Sequence, residues 1–146
     1  MPTRTARTAW TGTLELGSGL VELSSSEIGT YEVSFPKRAA EESIGTTSPE
    51  ELIAAAHSAC YAMALSAVIG GAGATTRTLD VRADVTLGPD PAGGFRLTGI
   101  TLTVRGDVDG LDAEGFATAA QTAKEGCPVS KALTGVEITL DAALKS

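Results

Sequence analysis

Alternating apolar and polar positions open the chain. Trp10, Leu14 and Leu16 alternate with Thr11, Thr13 and Glu15, Leu20 to Leu23 forms a second short run, and Tyr31, Val33 and Phe35 alternate with Glu32 and Ser34. Period-two patterning of this kind predicts three strands. Gly17-Ser18-Gly19 supplies one hairpin turn and Glu27 to Thr30 another, which makes a small antiparallel meander. Pro36 stops the third strand, and Lys37 to Thr47 reads as a polar loop without period.

At Ser48 the pattern changes to helix. Ser48-Pro49-Glu50-Glu51 combines an N-cap serine, a proline at the first helical position and a glutamate three after the cap. The Gly70-Gly71 pair, with Gly73 beyond, ends the helix, which at 1.5 Å per residue is about 30 Å long. From Leu52 to Ile69 the only basic or acidic side chain is His57, and the segment is rich in alanine. Its length would permit a membrane span, but it is weakly hydrophobic and lacks a basic flank or a second segment, so the expectation is a helix buried on all sides in a soluble protein.

The second half continues with two long strands. Leu79, Val81, Ala83, Val85 and Leu87 alternate with Asp80, Arg82, Asp84 and Thr86. In the next run Phe95 and Leu97 share one phase while Ile100, Leu102 and Val104 share the other, which predicts a bulge near Thr98-Gly99. A helix from about Asp112 to Glu125 stacks Phe116, Ala119, Ala120 and Ala123, with Gly126 as its C′ glycine. Cys127-Pro128 begins a short helix to Leu133, and Val136, Ile138 and Leu140 mark a last strand. The predicted order βββ-α-ββ-α-α-β describes one α+β domain over residues 1–146.

Charge and composition narrow the function classes. The chain carries 11 Lys plus Arg against 18 Asp plus Glu, for a net charge of −7, and its basic residues cluster no further than Lys37-Arg38. That balance excludes a nucleic-acid partner held by phosphate charge. Two cysteines make no disulfide framework and no four-ligand zinc site. Met1 to Trp10 has no apolar core of a secretory signal, which points to the cytoplasm and to reduced thiols.

Cys60 falls in mid-helix and Cys127 at a helix start, directly before Pro128. Both can be small buried hydrophobes. If one is reactive, a helix start favours thiolate and makes Cys127 the more acidic, whereas Cys60 among alanines needs a cation from elsewhere. Arg38 in the preceding loop is the nearest such cation, and Glu50 can orient it through a bidentate pair. The plainer alternatives are a solvated loop charge and a helix-start carboxylate. Ten residues of straight helix put about 15 Å between Glu50 and Cys60, so either the helix bends or Glu50 and its arginine serve the Cys60 of a second subunit. His57, three residues before Cys60, is either a base for the thiol or a packed, hydrogen-bonded ring.

Thr47-Ser48-Pro49-Glu50-Glu51-Leu52, running through Ala54-Ala55-Ala56-His57-Ser58-Ala59-Cys60 and followed by Cys127-Pro128-Val129-Ser130-Lys131-Ala132-Leu133, resembles the OsmC/Ohr family of thiol peroxidases. The resemblance implies an OsmC-like fold in an intertwined homodimer with two long central helices and active sites at the subunit interface. It makes Cys60 the peroxidatic cysteine and Cys127 the resolving one, with Arg38 and Glu50 stabilising the Cys60 thiolate. This reverses the preference for Cys127. Arg38 after Phe35-Pro36-Lys37, with no arginine between Gly12 and Gly29, resembles the OsmC branch. The substrate implied is an organic hydroperoxide, favoured over hydrogen peroxide, with Met63, Leu65 or Phe35 as apolar lining. The reductant implied is a dithiol, with lipoylated proteins as the precedent from the other branch.

No metal, haem or flavin is needed for that chemistry. Other readings are a general thiol-disulfide oxidoreductase, a non-enzymatic dimer binding a small apolar ligand, and a transition-metal site from Cys60, His57 and Cys127.

Overall fold

The structure is a computed structural model that describes residues 1–145. It divides into two compact units, Met1–Leu52 and the chain from Ile53 onward. The first holds an antiparallel sheet of β1 (Arg7–Thr11), β2 (Ser18–Glu22) and β3 (Thr30–Val33), in the order β1-β2-β3. The predicted meander is present, but its boundaries differ. β1 begins earlier and ends at Thr11, because Gly12 turns the chain at a left-handed φ of 98°. The Thr13 hydroxyl then accepts from the Leu16 N–H, and the Gly17 N–H donates to the Thr13 carbonyl. Leu14 and Leu16 therefore lie in an exposed turn rather than a strand, and Ser18 and Gly19 belong to β2.

The segment expected to be a strand end and a loop is partly helical. Ser34 accepts from the Lys37 N–H, and with Pro36 in its first turn α1 forms over Phe35–Arg38. Proline here starts an element as well as ending one, since its fixed φ suits a helix start. Arg38 is thereby the last residue of a helical turn instead of a free loop residue.

α2 spans Pro49–Gly71 and starts as the capping residues dictate, the Glu51 N–H donating to the Ser48 hydroxyl at 3.1 Å. It stops in a Schellman arrangement: Gly73 adopts φ 80° and donates to the Gly70 carbonyl, while Ala74 donates to Ile69. His57, Tyr61, Leu65 and Ile69, spaced four apart, form one fully buried stripe. The expectation of burial on all sides does not hold within this chain. Of the helix's most apolar window only 22% is buried, although its length and apolarity would suffice to cross a membrane. Ala55, Ala56, Ala59 and Met63 form an exposed face, with Met63 71% accessible.

In the second unit β4 (Thr75–Pro89) pairs antiparallel with β5 (Phe95–Asp109), and β5 pairs parallel with β6 (Ile138–Leu144). The bulge falls where the phase change puts it: Thr86 faces Gly99 and Leu87 faces Leu97, leaving Thr98 unpaired. A parallel pair needs a crossover, and α3 (Ala113–Gly126) with α4 (Pro128–Ala132) supplies it. Leu102 and Val104 from β5 form one core cluster with Tyr61, Leu65 and Ile69 of α2 and with Phe116, Ala119, Ala120 and Ala123 of α3. Gly106 of β5 is required by this packing, since a Cβ there would meet the Phe116 ring at 2.8 Å. Gly126 is not a left-handed cap. It is the last residue of α3, and the helix ends because Cys127, preceding a proline, is extended at φ −62° and ψ 122°.

Candidate functional site

The corner between α3 and α4 places Cys127. Its extended backbone breaks one helix and opens the next, so its side chain faces the first turn of α4. Cys127 is fully buried and Cys60, in mid-α2, is partly exposed. Both thiols are free, and their sulfurs, 67 residues apart in sequence, are 3.2 Å apart in space. That is hydrogen-bond distance for two sulfurs, so a disulfide can form with little movement.

The electrostatics of the two thiols differ. Burial raises the Cys60 thiol, which the Val129 amide only partly offsets, and its neighbour Cys127 raises it further. Burial also acts to raise Cys127, but the Ser130 amide, Cys60, the Ser130 hydroxyl and the Val129 amide together outweigh it and bring the thiol below its ordinary value. No cap hydrogen bond of ordinary length reaches Cys127, yet the large sulfur is within the influence of these α4 donors. Burial and these donors push the two thiols in opposite directions, Cys60 up and Cys127 down.

His57 lies in the same layer. It is fully buried, its Nε2 is 2.7 Å from the Ser130 hydroxyl, and burial lowers its pKa, which keeps the ring neutral. Ser130 is a participant to which sequence reasoning assigned no role. Its signal was present: a serine three residues after the cysteine that opens a helix points back toward that cysteine, as an N3 residue does in a capping box. Among the described residues no group of three or more His, Cys, Asp and Glu is arranged to hold a metal ion.

Arg38 and Glu50 are brought together in the first unit. The arginine Nε donates to both carboxylate oxygens at 3.1 and 3.2 Å, and Nη2 donates to Oε1 at 2.7 Å. Glu50 is only 7% exposed, so the pairing is needed to keep its charge satisfied. Nη1 takes no part in this pair. Arg38 also lines a hollow of about 140 Å³ with Trp10, Leu14, Val33, Ser34, Phe35 and Pro49. Of the three apolar lining candidates, Phe35 is in that hollow, Leu65 is a core residue and Met63 is on the exposed face of α2. Strand periodicity assigns Trp10 and Leu14 to packing, and the structure places both on the lining of that hollow.

Comparison with known proteins gives a consistent result. Residues 41–141 match the family model described as OsmC-like protein. Peroxiredoxin OsmC of Escherichia coli (strain K12) is 44% identical over 94% of this chain and 93% of its own. The organic hydroperoxide resistance protein OhrA of Bacillus subtilis is 37% identical over 66% of this chain and 67% of its own. Among solved structures, an organic hydroperoxide resistance protein from Elizabethkingia anophelis matches with a TM-score of 0.80 at 29% identity, covering 99% of this chain and 98% of that one.

Proposed function

This chain belongs to the OsmC-like family of peroxidase-type oxidoreductases, and we propose that it reduces organic hydroperoxides through a two-cysteine cycle. The observation that carries this reading is the 3.2 Å approach of two free sulfurs. Cys60 is the attacking thiol. Cys127 is the more acidic, but it is wholly enclosed, and a peroxide reaches the partly exposed Cys60 first.

The Cys60 thiolate attacks the terminal oxygen of the hydroperoxide, the O–O bond breaks, and the alkoxide takes a proton and departs as the alcohol. Cys60 is left as a sulfenic acid. The Cys127 sulfur then attacks the Cys60 sulfur, the S–O bond breaks, and hydroxide leaves as water with the proton that Cys127 gave up. A dithiol reductant, of the kind a lipoylated protein carries, reduces the resulting disulfide and is itself oxidised.

Arg38 and Glu50 complete the proposed site. Burial works against a Cys60 thiolate, so a guanidinium is needed to offset it, and in the proposed homodimer Arg38, held by Glu50 through Nε and Nη2, serves the Cys60 of a second subunit with Nη1 left for the peroxide. The hollow lined by Trp10, Leu14 and Phe35 beside Arg38 supports a substrate with an apolar substituent. The working form in this proposal is a homodimer, supported by the uncovered alanine-rich face of α2 and by exposed Leu16, Leu20 and Ile28 in the first unit. The proposed compartment is the cytoplasm.

A Cys127→Ser variant tests the first step. With one equivalent of cumene hydroperoxide it should give a dimedone-trappable sulfenic acid on Cys60, faster than with hydrogen peroxide. No adduct at Cys60 would overturn the assignment.

A further inference from the structure

Resting on the two-cysteine reading above, we propose that His57 and Ser130 are positioning residues for the resolving thiol. The buried imidazole fixes the Ser130 hydroxyl as a donor onto Cys127, which readies that sulfur to close the disulfide and later to leave from it.

The peroxide-attack step uses neither residue, yet both are buried and joined across α2 and α4 by a 2.7 Å bond. The direction of that bond follows from the other ring nitrogen. Nδ1 is buried without a hydrogen-bond partner among the described residues. An N–H enclosed without an acceptor costs more than an unfilled lone pair, so the ring proton belongs on Nε2. Nε2–H then donates to the Ser130 oxygen, and the single Ser130 hydrogen is left to point at the Cys127 sulfur, with which that hydroxyl interacts. The Ser130 and Val129 amides act on the same sulfur.

His57 is not a base in this arrangement. A cationic imidazole would be buried with no carboxylate beside it, and burial keeps the ring neutral. The titratable groups that face Cys127 are Cys60 and Tyr61, both from α2. The Tyr61 phenol donates to the Ala120 carbonyl and is pushed well above its ordinary value by burial, so it stays protonated. The donors from α4 are therefore the groups that can favour a Cys127 thiolate.

Two steps gain from this. When Cys127 attacks the Cys60 sulfenic acid, the thiolate is the nucleophile and hydroxide leaves as water. When a reductant thiolate attacks the Cys60 sulfur of the disulfide, the S–S bond breaks toward Cys127, and a sulfur of lower pKa leaves faster.

The test uses Ser130→Ala, His57→Leu and His57→Gln in the full chain. Gln keeps an N–H donor near the position of Nε2, and Leu keeps only volume. After one equivalent of cumene hydroperoxide, Cys60 oxidation and disulfide closure are timed separately by dimedone trapping and acid-quenched mass spectrometry. Cys60 oxidation should not slow in any of the three, while closure slows about tenfold in Ser130→Ala and His57→Leu and recovers in His57→Gln. In a Cys60→Ser background, where Cys127 alone titrates, its thiolate absorbance should appear at higher pH in Ser130→Ala and His57→Leu. Unchanged closure and unchanged titration in Ser130→Ala would overturn the proposal, as would a His57→Gln variant no better than His57→Leu. Ser130→Ala carries the test if His57→Leu does not fold. If wild type forms no disulfide with peroxide the two-cysteine reading fails, and the Cys127 titrations still decide whether His57 and Ser130 act on that sulfur.

Discussion

The two compact units hold their reactive groups by different means. In the second, the sulfurs are set by a packed core: Cys60 rides on the helix whose stripe of Tyr61, Leu65 and Ile69 is fully buried, and Cys127 sits at a corner dictated by Pro128. In the first, Val21 is the one apolar side chain that is buried among the described residues, and Arg38 is held by its ion pair with Glu50. The thiol geometry is thus a consequence of hydrophobic packing, while the guanidinium depends on one polar partner. Packing tolerates loss of a surface charge, but a guanidinium without its carboxylate has nothing to aim it.

Substitutions can break that contrast, beginning with the largest effect. Cys60→Ser should abolish peroxide consumption and disulfide formation altogether, read as residual peroxide in a coupled assay. Arg38→Ala should slow Cys60 oxidation by roughly 10²-fold, the scale of losing one preorganised donor at a developing negative charge. Unchanged attack kinetics would refute its role. Leu102→Ala, in the core of the second unit, should cost about 2–5 kcal/mol in denaturant unfolding. Burial holds His57 below its ordinary value of 6.5, so the folded chain binds fewer protons there than the unfolded one. Stability from this source is full above that pH and is lost as pH falls below it, by at most about 1.4 kcal/mol per pH unit. His57→Gln should remove that slope in unfolding curves from neutral pH down to about pH 5. The smallest effect belongs to Glu41→Gln on the exposed segment after α1 of the first unit, within about 0.5 kcal/mol.

Much of the second unit was legible because long elements repeat their pattern enough times to override accident. The β4–β5 bulge and the Phe116 face of α3 both stand where their periods put them. The first unit was read less well because its elements are short. Trp10, Leu14 and Leu16 match period two over too few residues to outweigh Gly12, and Ser34-Phe35-Pro36 matches a strand end as well as a cap. Burial of α2 on all sides was inferred from apolarity, but one chain covers only one stripe of it. The two cysteines were visible as candidates, and the family motifs joined them. Their 3.2 Å separation and the His57–Ser130 bond are long-range contacts that no local pattern encodes.

The most direct test of the two-cysteine cycle is the intact mass of prereduced protein, under non-reducing conditions, before and after one equivalent of cumene hydroperoxide. The account predicts loss of two hydrogens with both thiols blocked to alkylation, and a faster loss than hydrogen peroxide produces. An unchanged mass with Cys60 and Cys127 both still alkylatable would contradict it.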